Sequence, residues 1–327
     1  MTCLKILLTG ANGFVGSHIL DSLCAKGLPT AILLRQTSDT QFIRHRLSDV
    51  EVRHGSITDP PSLQRAMSGV SHVVHCAGCI KAQPAAQFYD INQQGTRNLV
   101  EAINNVGAIR LVHISSLAAA GPATASKPNR ESDPPHPVSE YGRSKLAAEQ
   151  EVRTNCRAQY VILRPPGVYG PRDSGFFSVF KAVAHHLLPL PSRRQALSLV
   201  FVRDLVGAVL ACLEHSAAAG KTYFVASPQI VTARQMAREV VSQMRVWTIP
   251  LPLSPALLWP VCVAEEIRAR LTGRARMLSL QKFAELRAPG WVCDPALLRN
   301  EIGHESGTTL EKGIAETLEW YRKERWI

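Results

Sequence analysis

The sequence predicts an α/β protein built on a doubly wound parallel sheet, with a smaller lobe drawn mainly from its second half. Three observations carry that prediction. An apolar run, Leu4 to Leu8, breaks into a loop with glycines at 10, 13 and 16 and is followed by a helical pattern through His18, Ile19, Leu20 and Leu23. Further short apolar runs recur as far as Arg164, separated by stretches of helical length, the pattern of parallel strands joined by right-handed crossovers. Beyond Arg164 the regular alternation is lost.

The opening strand, loop and helix imply a Rossmann-type dinucleotide site. Glycines there let the loop turn tightly, admit a pyrophosphate against bare backbone and let the helix press on the strand. The anion then meets unpaired N–H groups at the positive helix end. Thr30 to Leu34 is the second strand, and it ends in Arg35. An acid at that place, about 20 residues past the glycines, takes the ribose hydroxyls of NAD. A guanidinium instead pairs with a 2′-phosphate, so the expected cofactor is NADP(H) in preference to NAD(H).

Glu51 to His54 reads as a third strand, and Gly55 to Asp59 opens a helix through Leu63 and Met67. His72 to Ala77 is the fourth strand, running into Gly78. A helix is expected from Ala85 to Asn105, with strands at Arg110 to Ser115 and Tyr160 to Arg164. Residues 1–170 are thus the expected dinucleotide-binding domain, with elements near 195–226 interleaved, and 171–327 mainly the substrate lobe. In that lobe Phe176 to Leu188, Arg203 to His215 and Leu310 to Tyr321 read as helices. Leu197 to Val202 and Lys221 to Ala226 read as strands, and Thr232 caps a helix through Met244.

The chain has 327 residues, 46% of them hydrophobic, enough for a sizeable core. No apolar run reaches the roughly 18 residues of a membrane span, and Met1 to Lys5 is too short for a signal peptide. The eight cysteines are scattered; Cys76 and Cys79 form the one close pair and lack a second pair for zinc. They read as reduced thiols of a cytoplasmic protein, with no metal site. Lys and Arg total 37 against 26 Asp and Glu, a net charge of +11, but no nucleic-acid module accompanies it. Arginines gather instead at 268, 270, 274 and 276, beside the apolar, proline-interrupted run Ile249 to Ile267. That run reads plainly as a cleft cover or dimer seam, and more sharply as peripheral membrane contact through 249–276.

The chemistry lies between the fifth and sixth strands. Strand five ends in Ser115 and Ser116, at the carboxyl edge where open α/β sheets hold ligands. After a proline-rich loop, Tyr141 and Lys145 stand four apart on one helix face. The lysine is expected to lower the tyrosine pKa toward working pH and to hold the nicotinamide ribose. Ser116 would bond the substrate oxygen, and Tyr141 would pass it a proton.

In these motifs the chain resembles the extended short-chain dehydrogenase/reductases, which include NDP-sugar epimerases and dehydratases, dihydroflavonol reductases and 3β-hydroxysteroid dehydrogenases. TGANGFVG, VVHCAG, NQQGTRNLVEA, LVHISSLAAAG, YGRSKLAAE, ILRPPGVYGPRD and FVRDLVGAV occur in that family's order. The resemblance implies a catalytic set of Ser116, Tyr141 and Lys145, supported by Asn92. It implies a cofactor cradle of Gly10, Gly13, Phe14, Val15 and Gly16, with Arg35 on the adenosine phosphate. Ser56 and Ile57 would meet the adenine; Ser56 departs from the family's usual Asp. Cys76, Ala77 and Gly78 would approach the adenosine ribose and diphosphate. Ser115, Tyr141, Lys145, Pro165, Gly167 and Val168 would complete the nicotinamide end. Lys81, Ala118, Arg172 and Phe176 would face the substrate. A homodimer through helices such as 85–105 and 141–156 is also implied.

Two departures bear on the substrate. Nucleotide-sugar members commonly have Asn at the place of Gly167 and Arg at that of Leu197, to hold the sugar diphosphate. Arg172 or Arg193 are the arginines that would have to substitute. No acidic pair follows Ser116, where Leu117 and Ala118 stand, which disfavours a dehydratase. The expected activity is hydride transfer between nicotinamide and a secondary alcohol or ketone. An NDP-sugar epimerase is the alternative, and a non-catalytic dinucleotide sensor or assembly protein the next.

Overall fold

Alternating short apolar runs and amphipathic helices bury best as a layered sandwich, and the chain takes that form. The computed structural model describes residues 4–191, 195–253, 255–272 and 280–327. Seven strands make one parallel sheet: β1 (Ile6–Thr9), β2 (Thr30–Leu34), β3 (Glu51–His54), β4 (His72–His75), β5 (Arg110–Ile114), β6 (Gln159–Arg164) and β7 (Lys221–Phe224). Their spatial order is β7-β6-β5-β4-β1-β2-β3. The reversal of strand order falls between β1 and β4, whose register pairs Leu8 with Val74. A ligand crevice opens at such a switch point, outside the carboxyl ends of the strands.

β1 and β2 are buried throughout, because helices cover both sheet faces. One face packs Leu8, Ile32 and Val112 against Ile19, Leu20 and Leu23 of the Phe14–Ala25 helix and Leu205 and Val209 of the Val202–Glu214 helix. The other packs Leu7, Val73 and Leu111 against Leu63, Leu99 and Ile103. Arg110, nearly fully buried, donates to the carbonyls of Cys212 and His215 and so caps the end of the Val202–Glu214 helix.

Most predicted elements stand within a residue or two of their expected ends. The expected Ala85–Asn105 helix is continuous in path but contains a π-turn over Tyr89–Gln94, between short and long α-helical pieces. The expected Phe176–Leu188 helix is corrected to Phe177–Ala184. His186 takes a left-handed φ of 61°, and Leu187–Pro191 turns into a strand paired with Ile249–Leu253. Prolines in both partners suit only such a short, isolated ribbon. The expected strand at Leu197–Val202 divides at Ser198: Leu197 pairs with Val231 and Trp291, and Leu199–Phe201 pairs with Gly167–Tyr169. The run from Ile249 divides into that ribbon strand and the Pro255–Thr272 helix. An aromatic cluster of Tyr169, Phe180, Phe201 and Tyr321 joins the C-terminal Leu310–Lys323 helix to the lobe. Among the described residues no helix is long and apolar enough to cross a membrane, and none hold a metal-ligating cluster.

Candidate active site

Gly10 turns the loop after β1 with φ of +72°, a conformation that favours glycine. A Cβ at Gly10 would stand 2.6 Å from the Ala77 nitrogen, and one at Gly16 would stand 2.0 Å from the Gly10 carbonyl oxygen. Any side chain at either place would displace backbone, so β1, the loop and the segment after β4 close together only with glycine there. Gly13 begins the Phe14–Ala25 helix with no side-chain cap, leaving its first N–H groups for an anion. Asn12 donates to the Asp39 carbonyl and ties this loop to the turn after β2. Arg35 stands exposed at the head of that turn, whose backbone is pinned by Ser38. Such a bare-backbone cradle fits the pyrophosphate of a nicotinamide dinucleotide.

At the middle of the crevice Ser116 caps the short Leu117–Ala120 helix, its Oγ accepting from the Ala118 amide at 3.1 Å. The same hydroxyl lies beside that of Tyr141, near enough to act on its proton affinity. Tyr141 lies on the Glu140–Asn155 helix, which Ser139 caps, and its ring meets Phe88 at 6.0 Å between centroids. Lys145, one turn on, is buried and donates to the Ile114 carbonyl at 2.8 Å. A Cβ on Gly78 would lie 3.9 Å from its Nζ. Serine, tyrosine and lysine therefore meet at the end of β5.

One electrostatic expectation is corrected here. Tyr141 is not made acidic by Lys145: burial pushes its phenol up to about 12, against the lowering influence of the Ser116 hydroxyl, with Glu285, Cys76 and Cys79 adding to the rise. The Lys145 ammonium points to backbone rather than to the phenol, and burial brings its pKa down to about 8. At neutral pH Tyr141 therefore keeps its proton.

Asn92 sits in the π-turn, where its amide accepts from the Cys79 N–H at 2.7 Å and donates to the Cys79 carbonyl and to Ser144. Ser144 in turn donates to the Tyr141 carbonyl. A second chain that the sequence did not suggest runs beneath it. Thr96 donates to the Asn92 carbonyl, so it must accept from His75 Nε2, and His75 Nδ1 then accepts from the Thr9 hydroxyl. Burial lowers the His75 pKa to about 3, in keeping with a neutral ring. The end of β1, β4 and the π-turn are thereby locked to one another. The signal available in sequence was a histidine at the end of β4, beside Val73 and Val74, which pattern alone does not interpret.

The remaining predicted residues divide. Pro165, Gly167 and Val168 follow β6, and a Cβ on Gly167 would lie 3.2 Å from the Phe176 ring, so Phe176 fills the space a side chain there would need. Ile57 is buried against Gly95, and Ser56 bonds Thr58. Phe14 and Val15 open the first helix, and Ser115 donates to the buried Glu149. Lys81 is exposed on the loop after β4, its carbonyl accepting from the Cys79 thiol. Burial raises both the Cys76 and Cys79 thiols, Cys76 to about 11, so neither is a ready thiolate. Arg172 turns away to Asp21 of the first helix at 2.8 Å. Arg193, Arg274 and Arg276 lie outside the described residues. Glu285, unforeseen from sequence, lies on the Leu280–Arg287 helix within electrostatic reach of Tyr141.

The geometry agrees with what comparison with known proteins finds. Over 98% of its length the chain is 28% identical to the ceramide reductase of Caulobacter vibrioides, covering 96% of that protein. It is 26% identical to the UDP-glucose 4-epimerase of Vibrio cholerae, over 96% of this chain and 94% of that one. The UDP-glucose 4-epimerase of Thermus thermophilus, solved with NAD, shares the fold with a TM-score of 0.77 at 23% identity, covering 98% and 99% of the two chains. Residues 6–226 match the model of the NAD dependent epimerase/dehydratase family. With its glycine-built cradle for a nicotinamide dinucleotide, the chain belongs to the NAD-dependent epimerase/dehydratase family, within the extended short-chain dehydrogenase/reductases.

Proposed function

We propose that the chain is an oxidoreductase transferring a hydride between NADP(H) and a secondary alcohol or ketone. The observation that carries this reading is the hydroxyl pair of Ser116 and Tyr141 at the carboxyl edge of the sheet, with Lys145 behind it. A bound nicotinamide supplies or accepts the hydride. Ser116 and Tyr141 hold the substrate oxygen, and Tyr141, a neutral phenol at pH 7, delivers the proton as that oxygen gains charge. Lys145, anchored on Ile114, holds the nicotinamide ribose. Asn92 keeps the helix carrying Tyr141 in place through Ser144.

Two features support a ketone over a nucleotide sugar. Phe176 packs where a side chain at Gly167 would reach a sugar diphosphate, and Leu197 offers no charge to it. A buried diphosphate left without such contacts loses charge-assisted bonds of about 1.5–3 kcal/mol each. The similarity to a ceramide reductase favours the same reading. Arg35, exposed at the rim of the cradle, supports NADP(H), and a homodimer through the 85–105 and 141–156 helices belongs to the proposal. The second reading, an NDP-sugar epimerase, is favoured by the end-to-end similarity to UDP-glucose 4-epimerases and uses the same three residues. Cofactor stoichiometry separates them: a reductase consumes NADPH in solution, and an epimerase leaves bulk cofactor unchanged.

A further inference from the structure

Eight of the fourteen most exposed large apolar side chains among the described residues fall at 187 and between 247 and 286. They are not scattered. Trp247, 67% exposed, stacks on His186 at 4.1 Å, and the ribbon that follows carries Leu187, Ile249 and Leu251 into solvent. Two residues after the ribbon begins the Pro255–Thr272 helix. Its inner side is marked by Cys262 and Ala269, both buried. Its outer side, at helical spacing, carries Trp259, Pro260, Val261, Ala264 and Ile267, with Arg268 as the charge among them. Trp259 is 53% and Ile267 54% exposed. A helix at a protein surface ordinarily turns polar residues outward. This one is apolar there.

The charge carried by the sequence around it bears on what covers it. Residues 245–287 hold seven arginines and lysines (245, 268, 270, 274, 276, 282 and 287) against three glutamates (265, 266 and 285), a net of +4. A symmetric contact between two copies would set that excess against itself. Exposed tryptophans and aliphatic side chains bordered by arginines match the boundary between acyl chains and anionic headgroups. We infer that the face formed by the 187–191 and 249–253 ribbon and the Pro255–Thr272 helix seats the protein on an anionic membrane surface. The Leu280–Arg287 helix, which brings Glu285 within reach of Tyr141, packs against the Pro255–Thr272 helix. A seated face therefore lies one helix from the phenol.

The test is co-sedimentation of the full chain with phosphatidylcholine vesicles, with and without phosphatidylglycerol, at low and high salt. The chain is expected to pellet with the anionic vesicles and to be released by salt. Arg268→Glu is expected to weaken binding by roughly fivefold or more, and Trp259→Ser with Ile267→Ser by at least about tenfold. All three positions are exposed, so the thermal midpoint and dinucleotide binding should stay unchanged, which separates lost docking from lost fold. Equal pelleting of the variants and the parent chain would overturn the inference. So would absence of binding to anionic vesicles, including the case in which the same variants convert a dimer to monomers. The assay needs no turnover, so its outcome is independent of the proposed reaction.

Discussion

Arg164 donates to both carboxylate oxygens of Glu149, at 2.8 and 2.7 Å, and both side chains are almost wholly buried. The pair joins the end of β6 to the helix bearing Tyr141 and Lys145, and Ser115 donates to the same carboxylate from the end of β5. Burial alone would raise the Glu149 pKa. The Arg164 hydrogen bonds and charge outweigh it and hold the carboxyl below its ordinary value.

Removing Arg164 leaves the buried Glu149 carboxylate only the more exposed Arg153, at 2.9 Å, and Ser115 as partners. Arg164→Met is expected to lower unfolding free energy by about 3–5 kcal/mol, read by chemical denaturation at pH 7. Because the folded pKa of Glu149 is depressed, its contribution is complete above the unfolded carboxylate pKa and is lost as pH falls through the folded value. The difference between parent and variant should therefore shrink in acid. A constant difference down to acid pH would remove Glu149 from this role.

Lys145 carries the opposite sign. Burial lowers its pKa to about 8, so between about 8 and 10.5 the unfolded chain binds more protons than the folded one and stability rises with pH. Relative to Lys145→Met, the parent chain should gain stability over that window by up to about 3 kcal/mol. Parallel stability curves for the two proteins would contradict the burial of its charged form.

How much of this was legible in sequence follows the range of the interactions. The glycine loop, the strands of the sheet and the Ser116, Tyr141 and Lys145 set are written in local spacing, and the chain brings them together. The expected Phe176–Leu188 helix overruns into the first two residues of the Leu187–Pro191 strand because that strand's partner lies some 60 residues away, and no local pattern announces an isolated ribbon. The Tyr141 pKa was misjudged because four-residue spacing fixes a shared helix face but not where an ammonium points. Ile114 offered Lys145 a nearer acceptor. His75 and Glu285 join the site through contacts that only the fold creates.

Glu285 adds to the rise of the Tyr141 pKa. Glu285→Gln is expected to shift the alkaline limb of the pH–rate profile downward while leaving dinucleotide affinity within about twofold. An unmoved limb would show that the lobe helix does not act on the phenol.

Arg35→Asp is expected to weaken NADPH binding by about 10- to 100-fold, the value of one charge-assisted contact, and to leave NADH binding nearly unchanged. Titration of the purified protein reads both. Equal affinities of the parent chain for the two cofactors would identify Arg35 as a bystander.

The most direct test follows NADPH oxidation by the purified chain with apolar ketones, alongside Tyr141→Phe. The account predicts one NADPH consumed per ketone reduced, and loss of turnover by about 100-fold or more in the variant with NADPH binding retained. Interconversion of a UDP-sugar with bulk cofactor unchanged would contradict the proposed reaction, and undiminished turnover by Tyr141→Phe would contradict its mechanism.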